Sequence, residues 1–271
     1  MEKKLILISA GDAITAKLIK EAGFDGIWIS GFEASARLGL SDNGSITLTE
    51  MVAIAKTICD AVDLPVYVDV DTGYGNFKRT VKEFEKIGVA GICVEDNLPN
   101  KENSLWGGPN VIMPMKNFIE KIDIPHRLTI IARTEALIRG YGMTEAIQRA
   151  VNYAKVADMI LVHTRAKDEK EAFAIARQKN KIGKPLVIVP TKFPQTTNLI
   201  LEDMGYDMII WANQTERVKI RAIRIALESL KMSDCAKHIE QNLSATLDDM
   251  KNLTPDELGN KNLGYGGFKN A

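Results

Sequence analysis

The hydrophobic positions fall into short, nearly continuous apolar runs, each followed by a longer segment of helical period. These runs predict strands at residues 5–9, 26–30, 65–69, 91–95, 128–133, 159–163, 185–189 and 208–211. Apolar runs without alternation are typical of parallel strands that are covered on both faces. The segments between them predict amphipathic helices, among them 13–22, 48–61, 76–87 and 144–157.

Eight such β/α units in about 230 residues, with no linker between them, predict a single (β/α)8 TIM-type barrel. A doubly wound open sheet is the alternative, but it needs a glycine-rich phosphate loop after the first strand. The sequence there, Ser9-Ala10-Gly11-Asp12, is not GxGxxG. We therefore expect a barrel domain over residues 1–232, continued by a helical extension over 233–271.

The extension predicts two helices of its own. One is expected near 236–251. The other would begin at Thr254-Pro255, because threonine is a good N-cap and proline is tolerated at the first helical position.

Composition and charge narrow the class of protein. Lysine plus arginine number 35 and aspartate plus glutamate also number 35, so the chain has no basic field to attract nucleic acid or anionic lipid. No apolar run reaches the roughly 18 residues of a membrane span, and the start has too short an apolar stretch for a secretory signal. The cysteines, Cys59, Cys93 and Cys235, are odd in number and form no CxxC pair. An odd number of unpaired cysteines argues against a disulfide framework, so we expect a soluble protein of a reducing compartment, the cytoplasm.

Acidic side chains collect where the predicted strands end, which is where barrels of this type carry catalytic groups. Asp69 and Asp71 end the third strand and point the same way, since they are two residues apart on an extended chain. Glu95 ends the fourth strand, and Asp42 lies in the loop after the second. Carboxylates this close share a proton or a cation, and hard oxygen donors favour Mg²⁺ or Mn²⁺ over zinc. The alternative is that these acids cap helices or pair with lysines.

Two further strand ends carry nitrogen groups. The planar fork of Arg133 suits a substrate carboxylate or phosphoryl group, and the alternative is an ion pair with Glu95 or Glu135. His163 either binds substrate or transfers a proton, or it is a core histidine with satisfied hydrogen bonds.

The loop after the fourth strand, residues 97–109, is long and polar. Loops of this length in compact domains often act as lids. As a lid it would carry Lys101, Asn103 and Ser104 over a bound anion, whereas a plain connecting loop would have no catalytic role.

Two motifs combine these residues, Asp69-Val70-Asp71-Thr72-Gly73-Tyr74-Gly75-Asn76 and Glu95-Asp96-xxxx-Lys101-x-Asn103-Ser104. Together they resemble the phosphoenolpyruvate mutase family of the isocitrate lyase superfamily. The first motif marks the superfamily, and the second is the more specific signal of the subfamily. The resemblance runs from about residue 13 to residue 214 and includes 23–28, 35–39, 189–192 and 210–213.

The resemblance implies a Mg²⁺-dependent isomerase that interconverts phosphoenolpyruvate and 3-phosphonopyruvate, as in phosphonate biosynthesis. It implies that Asp69 contacts the metal, with Asp71, Glu95 and Asp42 around its water shell. The catalytic residues implied are Asp42, Lys101, Asn103 and Arg133, and the substrate-binding residues are Trp28, Ser30, Gly31, Phe32, Ser104, Leu105 and His163. It also implies a homo-oligomer, a dimer or tetramer, with C-terminal helices exchanged between subunits.

The chain departs from the family pattern in three places. Asn97 stands where the family usually has lysine, Pro99-Asn100 where it has Phe-Pro, and Phe32 where it has leucine. We expect these changes to remove one positive charge near the site and to alter the hinge of the loop.

Three other functions are weighed against the mutase. Phosphonopyruvate hydrolase shares the scaffold but tends to carry threonine where Asn103 stands. Carbon–carbon lyases of the methylisocitrate or dimethylmalate type use a cysteine in the lid, and this chain has none there. A non-catalytic binding protein would have no reason to retain all four acids and Arg133.

Overall fold

The computed structural model describes residues 4–99 and 111–254, and its eight parallel strands close into a barrel in chain order. The strands are β1 (Leu5–Ser9), β2 (Gly26–Ile29), β3 (Val66–Asp69), β4 (Gly91–Glu95), β5 (Thr129–Thr134), β6 (Met159–Val162), β7 (Leu186–Ile188) and β8 (Met208–Trp211). Pairing of β1 with β8, from Leu5↔Met208 to Ile8↔Trp211, completes the ring. The predicted (β/α)8 barrel is confirmed, and the doubly wound alternative is wrong.

Helices follow the strands. They are α1 (Ala13–Glu21), α2 (Gly31–Arg37), α3 (Leu48–Ala61), α4 (Phe77–Lys86), α5 (Met115–Ile122), α6 (Gly142–Tyr153), α7 (Lys170–Ala176), α8 (Lys179–Ile182), α9 (Asn198–Met204), α10 (Gln214–Ser233), α11 (Lys237–Asn242) and α12 (Leu247–Leu253). Side-chain caps fix several starts. Asp12 accepts from the Thr15 amide at α1, and Thr47 with Glu50 forms a capping box at α3.

Two apolar cores explain the continuous hydrophobic runs. Inside the barrel, alternate residues of the strands pack on one another: Leu7, Trp28, Tyr67, Cys93, Ile131, Leu161, Val187, Met208 and Ile210. The intervening strand residues, such as Ile27, Val68 and Ile130, belong to the second core. Because both faces of each strand are buried, the period-2 alternation of a half-exposed sheet is absent from these strands.

The predicted helix at 144–157 begins two residues earlier, at Gly142, and ends at Tyr153, where a turn follows. The helix predicted at 236–251 is two helices, α11 and α12. The break has a local cause, because Thr246 and Asp249 form a capping box that starts a new helix. The helix start predicted at Thr254-Pro255 lies at the edge of the described residues, and 255–271 lie outside them.

The chain separates into two compact units, Met1–Lys219 and Ile220–Ala271. The boundary expected at residue 233 stays a prediction. Among the helices that the structure describes, none is long and apolar enough to cross a membrane.

Strand packing leaves no room for a side chain at Gly91. A Cβ there would lie 2.7 Å from the Tyr67 ring and 2.8 Å from the Thr129 carbonyl oxygen. Gly→Ala usually stabilises a protein by about 0.4–1 kcal/mol, through the unfolded chain. We predict the opposite sign for Gly91→Ala, a loss of roughly 1–3 kcal/mol in the free energy of unfolding, measured by urea denaturation.

Gly88→Asn is the comparison, because φ is +77° there and a Cβ would meet nothing within 4 Å. Asparagine tolerates this conformation, so we expect a smaller change. A Gly91→Ala protein as stable as wild type would show that the strands around Gly91 can shift to accommodate a methyl group.

Candidate active site

The pocket opens at the carboxyl ends of the strands. Its lining consists of Trp28, Ser30, Phe32, Asp42, Asp69, Arg133, His163, Thr164, Val189, Thr191, Lys192, Ala212 and Asn213. Seven of these were predicted as site residues from the sequence: Trp28, Ser30, Phe32, Asp42, Asp69, Arg133 and His163. Because parallel strands end at one rim, residues from six different β/α units meet there.

Arg133 lies at the centre of the acidic groups. Its Nε donates to Glu135 Oε1. One terminal nitrogen lies 3.3 Å from Asp69 Oδ2 and the other 3.2 Å from Glu95 Oε2. Burial opposes its charge, but the carboxylates of Glu135, Glu95 and Asp69 outweigh burial and hold the pKa of Arg133 well above its ordinary value. The ion pairs predicted as the alternative for Arg133 are therefore present, and the same residue also lines the pocket.

His163 is oriented by Glu135 and Arg133. Its Nδ1 lies 2.7 Å from Glu135 Oε1 and 3.0 Å from a terminal nitrogen of Arg133. The ring is buried and lines the pocket. Glu135, which the sequence suggested only as an ion-pair partner, thus fixes both Arg133 and His163.

The four predicted acids, Asp42, Asp69, Asp71 and Glu95, are all buried. Asp71 has φ +47° and donates its amide to Asp69 Oδ1 at 3.2 Å. A Cβ on Gly31 would lie 3.0 Å from Asp71 Oδ1, so glycine at the start of α2 lets that backbone approach the acid closely.

The buried carboxylates at the strand ends are the groups that could bind a divalent cation. In the part of the chain that the structure describes, no three His, Cys, Asp or Glu side chains form a ready set of direct ligands. Mg²⁺, however, usually keeps several waters and uses one or two carboxylates plus the substrate. Three buried acids (Asp69, Glu95 and Glu135) lie within ion-pair distance of the Arg133 guanidinium, and Asp42 and Asp71 are also buried at the strand ends. A cation would offset this excess of carboxylates over guanidinium. The residues fit a hydrated hard cation.

Asp96 is a buried acid that accepts hydrogen bonds from residues next to the site. Its Oδ1 accepts from the Glu135 amide, and its Oδ2 accepts from Thr134 Oγ1 and from the Tyr153 hydroxyl, each at 2.8 Å. Arg149 adds a contact at 3.1 Å. Burial raises the pKa of Asp96, while these hydrogen bonds oppose the rise. This network could not be predicted from the sequence, because Tyr153 and Arg149 lie on α6, more than 50 residues further along the chain than Asp96.

The loop after β4 is described only at its two stems. Asn97 bridges Ile112 in antiparallel fashion, and the Met113 amide donates to the Asp96 carbonyl oxygen at 2.7 Å. The predicted loop residues, Lys101, Asn103, Ser104 and Leu105, lie outside the described residues, as does Asn100.

Six residues that line the pocket were not predicted as site residues, and three of them are polar residues that follow β7 and β8: Thr191, Lys192 and Asn213. They lie at the ends of β7 and β8, and Asn213 adopts φ +65° while donating its amide to Ser9 Oγ at 2.9 Å. A signal was available, since all three fall in the stretches 189–192 and 210–213 that carry the family resemblance.

Glu33 is a buried acid that the sequence did not single out. It is 2% exposed, on α2, and its Oε1 accepts from Ser9 Oγ at 2.9 Å. Burial raises the pKa of Glu33 from 4.5 to about 7. The Ser9 hydrogen bond opposes that rise, Glu216 adds to it, and the nearby cations Arg37 and Lys219 also oppose it.

Comparisons with a family model and with curated proteins show what the chain is similar to. Residues 1–231 match the family model described as phosphoenolpyruvate phosphomutase. The chain is 31% identical over 264 residues to the phosphoenolpyruvate phosphomutase of Tetrahymena pyriformis, an alignment that spans 93% of this chain and 87% of that protein.

Solved structures give the same picture. The phosphoenolpyruvate phosphomutase from Streptomyces platensis subsp. rosaceus superposes with a TM-score of 0.90 at 31% identity, covering 94% of this chain and 91% of that one. A phosphonopyruvate hydrolase in complex with oxalate and Mg²⁺ superposes with a TM-score of 0.85 at 28% identity, covering 93% and 90%.

The raised pKa of Glu33 predicts a pH dependence of stability. Between its ordinary 4.5 and about 7, the folded protein binds more protons at this site than the unfolded chain does. Stability from this group is therefore greatest at low pH and is lost as pH rises through 7, by up to about 3 kcal/mol. In Glu33→Gln this loss should vanish, as measured by urea denaturation at pH 5, 6, 7 and 8.

The exposed variant Glu120→Gln is the control and should keep the wild-type pH dependence. Parallel stability curves for wild type and Glu33→Gln would show that Glu33 is ionised in the folded state throughout this range.

Proposed function

The chain belongs to the phosphoenolpyruvate phosphomutase family, and we propose that it is the isomerase that interconverts phosphoenolpyruvate and 3-phosphonopyruvate. The observation that carries the proposal is the buried Arg133, held among Asp69, Glu95 and Glu135 in a pocket at the strand ends. A guanidinium in that position suits the carboxylate and enolate oxygens of a pyruvyl group.

The reaction is an internal transfer that balances without a co-reactant. From phosphonopyruvate, the carbon–phosphorus bond breaks, the electron pair stays on the pyruvate enolate, and the enolate oxygen bonds to the phosphoryl group. Catalysis of such a transfer depends on positioning and on neutralising negative charge. Arg133 would contribute to both positioning and charge neutralisation. Glu135 orients His163, whose ring lines the same pocket.

We propose Mg²⁺ or Mn²⁺ as the cofactor, with Asp69 as the direct ligand and Asp71, Glu95 and Asp42 holding its waters. When bound, the cation would offset the charge of the substrate oxygens. The excess of buried carboxylate over guanidinium supports this assignment, as does Mg²⁺ with oxalate in the similar hydrolase structure.

The remaining substrate contacts are proposed from the pocket and the motif together. The backbone amides of Gly31 and Phe32, at the start of α2, would bind the pyruvyl carboxylate with Arg133. Trp28, Ser30 and His163 would complete the wall, since all three line the pocket. Asp42, also in that lining, would act either as an acceptor of the phosphoryl group or as an orienting group of the metal shell.

For the loop we retain the roles that the motif implies. Lys101, Asn103, Ser104 and Leu105 would close over the phosphoryl group and exclude water from it. Lys101 would supply a point charge, and Asn103 a neutral donor that holds phosphoryl oxygens without attacking them.

Phosphonopyruvate hydrolase is the second candidate, because a hydrolase superposes with a TM-score of 0.85. Asn103, where hydrolases tend to have threonine, favours the mutase. A carbon–carbon lyase needs a reactive lid thiol. Here Cys93 lies in the barrel interior, where burial raises its pKa well above the ordinary value, and Cys59 and Cys235 lie outside the loop.

We further propose a cytoplasmic homo-oligomer, a dimer or a tetramer. Cys59, Cys93 and Cys235 are free thiols, which suits a reducing compartment. Several large apolar side chains of α10 and α12 are exposed, among them Leu227, Met232 and Leu247, and a second subunit would cover such residues.

Phosphorus NMR of the purified protein with phosphonopyruvate and Mg²⁺ tests the proposed function. We predict a phosphoenolpyruvate signal that grows to an equilibrium mixture, with little inorganic phosphate. Inorganic phosphate as the main product would establish the hydrolase instead. No phosphorus-containing product, with Mg²⁺ present, would contradict both candidates.

Asn103→Ala tests the role of the loop. Loss of one preorganised donor should lower kcat about 10²–10³-fold and let water compete for the phosphoryl group. The ratio of inorganic phosphate to phosphoenolpyruvate should therefore rise, as measured by the same NMR experiment.

Lys101→Ala should slow both products without changing their ratio as much, because its charge serves either acceptor. Asn110→Ala, directly after this loop in the sequence and outside the motif, is the control. Wild-type rates and product ratio in Asn103→Ala would remove the main reason for preferring the mutase.

A further inference from the structure

Glu95 is held from two sides. Its Oε2 lies 3.2 Å from a terminal nitrogen of Arg133, and its Oε1 accepts from Asn97 Nδ2 at 2.8 Å. The side chain of Glu95 is fully buried, so its orientation depends on these protein contacts rather than on solvent. Asn97 is also buried, at 1% exposure, and lies at the outgoing stem of the loop after β4.

The other end of the Asn97 amide meets a second buried cation. Arg139 is 4% exposed, and its Nε donates to Asn97 Oδ1 at 3.1 Å. Arg139 lies in the turn after β5, where its amide donates to the Glu135 carbonyl oxygen at 2.9 Å. This backbone hydrogen bond to Glu135, the residue that orients Arg133 and His163, holds Arg139 beside the site.

The chemistry of the two neighbours fixes which way the amide faces. A guanidinium has donors only, so it requires the Asn97 oxygen, and an ionised Glu95 accepts only, so it requires the Asn97 nitrogen. Reversing the amide would oppose donor to donor and acceptor to acceptor. Arg139 therefore selects the orientation in which Asn97 donates to Glu95.

This arrangement also bears on the charge that Asn97 was expected to remove. Arg139 carries a positive charge, and the amide of Asn97 lies between that charge and Glu95. An asparagine at this position holds the acid without forming a direct ion pair with it.

We infer that Asn97 and Arg139 are positioning residues that hold the Glu95 carboxylate in place for the divalent cation. The inference rests on the proposed function, since it assumes that Glu95 belongs to the metal shell. Neither residue touches substrate in this assignment. They act through Glu95, in the way that outer hydrogen-bond partners orient carboxylates at other metal sites.

Mn²⁺ affinity, measured by electron paramagnetic resonance of free Mn²⁺ without substrate, tests the inference. Arg139→Met keeps the length of the side chain but removes its donors, and it should raise the Kd for Mn²⁺ about 10-fold. Asn97→Leu, which removes the amide, should raise it by a similar factor. Because both act through one contact, the double variant should show about the same loss as either single variant rather than the product.

Arg139→Lys retains a cationic donor and should stay within about 3-fold of wild type, less than the loss expected for an absent partner. Arg127→Met, at an exposed arginine paired with Glu85, is the control and should bind Mn²⁺ as wild type does. Thermal unfolding of each variant separates positioning from folding. If Arg139→Met fails to fold, Asn97→Leu alone carries the test.

The outcomes are distinguishable. A lower melting temperature with unchanged Kd in both single variants would overturn the inference and leave the proposed function intact. Losses that multiply in the double variant would also overturn it, because the two residues would then act separately. Wild-type protein that binds no Mn²⁺ would contradict the proposed metal site itself. Mn²⁺ binding with these variant effects but no turnover of phosphonopyruvate would contradict only the mutase.

Discussion

The buried charge around Arg133 is the constraint on which the rest of the site depends. One guanidinium lies within ion-pair distance of three carboxylates, and two more acids are buried at the same rim. Removing one partner of a buried ion pair typically costs about 3–5 kcal/mol, because it leaves a buried charge without compensation. Each of these charged groups therefore depends on the barrel to hold its partners in place. The negative charge that remains in excess would attract a divalent cation, and the cation would in turn bind an anionic substrate.

The fold supplies that arrangement by bringing distant strand ends to one place. Asp69 and Glu95 end β3 and β4, and Arg133 is the last residue but one of β5. Parallel pairing sets Glu95 opposite Arg133 in register. Backbone conformation contributes as well. Asp71 and Asn213 both occupy the left-handed region, a strain that non-glycine residues adopt where the surroundings enforce it. Asp96, next to β4, accepts from the Thr134 hydroxyl, from the Glu135 amide and from the Tyr153 hydroxyl of α6, and so links these elements.

How much of this the sequence predicts depends on whether the signal is local. Strand positions were predicted to within one residue at either end, because runs with two buried faces are continuous in sequence. Asp42, Asp69, Arg133 and His163 were predicted for the pocket because residues that end parallel strands share a rim.

The network residues could not be found in this way. From the sequence, Arg139 and Arg149 resemble ordinary surface cations in a helical or turn segment. Only the closed barrel shows that both are buried against the preceding unit, Arg149 against Asp96 and Arg139 against the amide of Asn97. Glu33 follows the same pattern. Its neighbour Ser9 lies 24 residues earlier, and no periodicity marks an acid inside α2 as buried.

The excess of buried carboxylates predicts that the site accepts an anion only together with a divalent cation. Isothermal titration with oxalate, a planar dianion that presents two adjacent oxygens as a pyruvyl group does, tests it directly. We expect clear binding of oxalate with Mg²⁺ at saturation. In EDTA we expect a loss of affinity of 100-fold or more, equivalent to roughly 3 kcal/mol. Equal affinity for oxalate with and without the cation would contradict it.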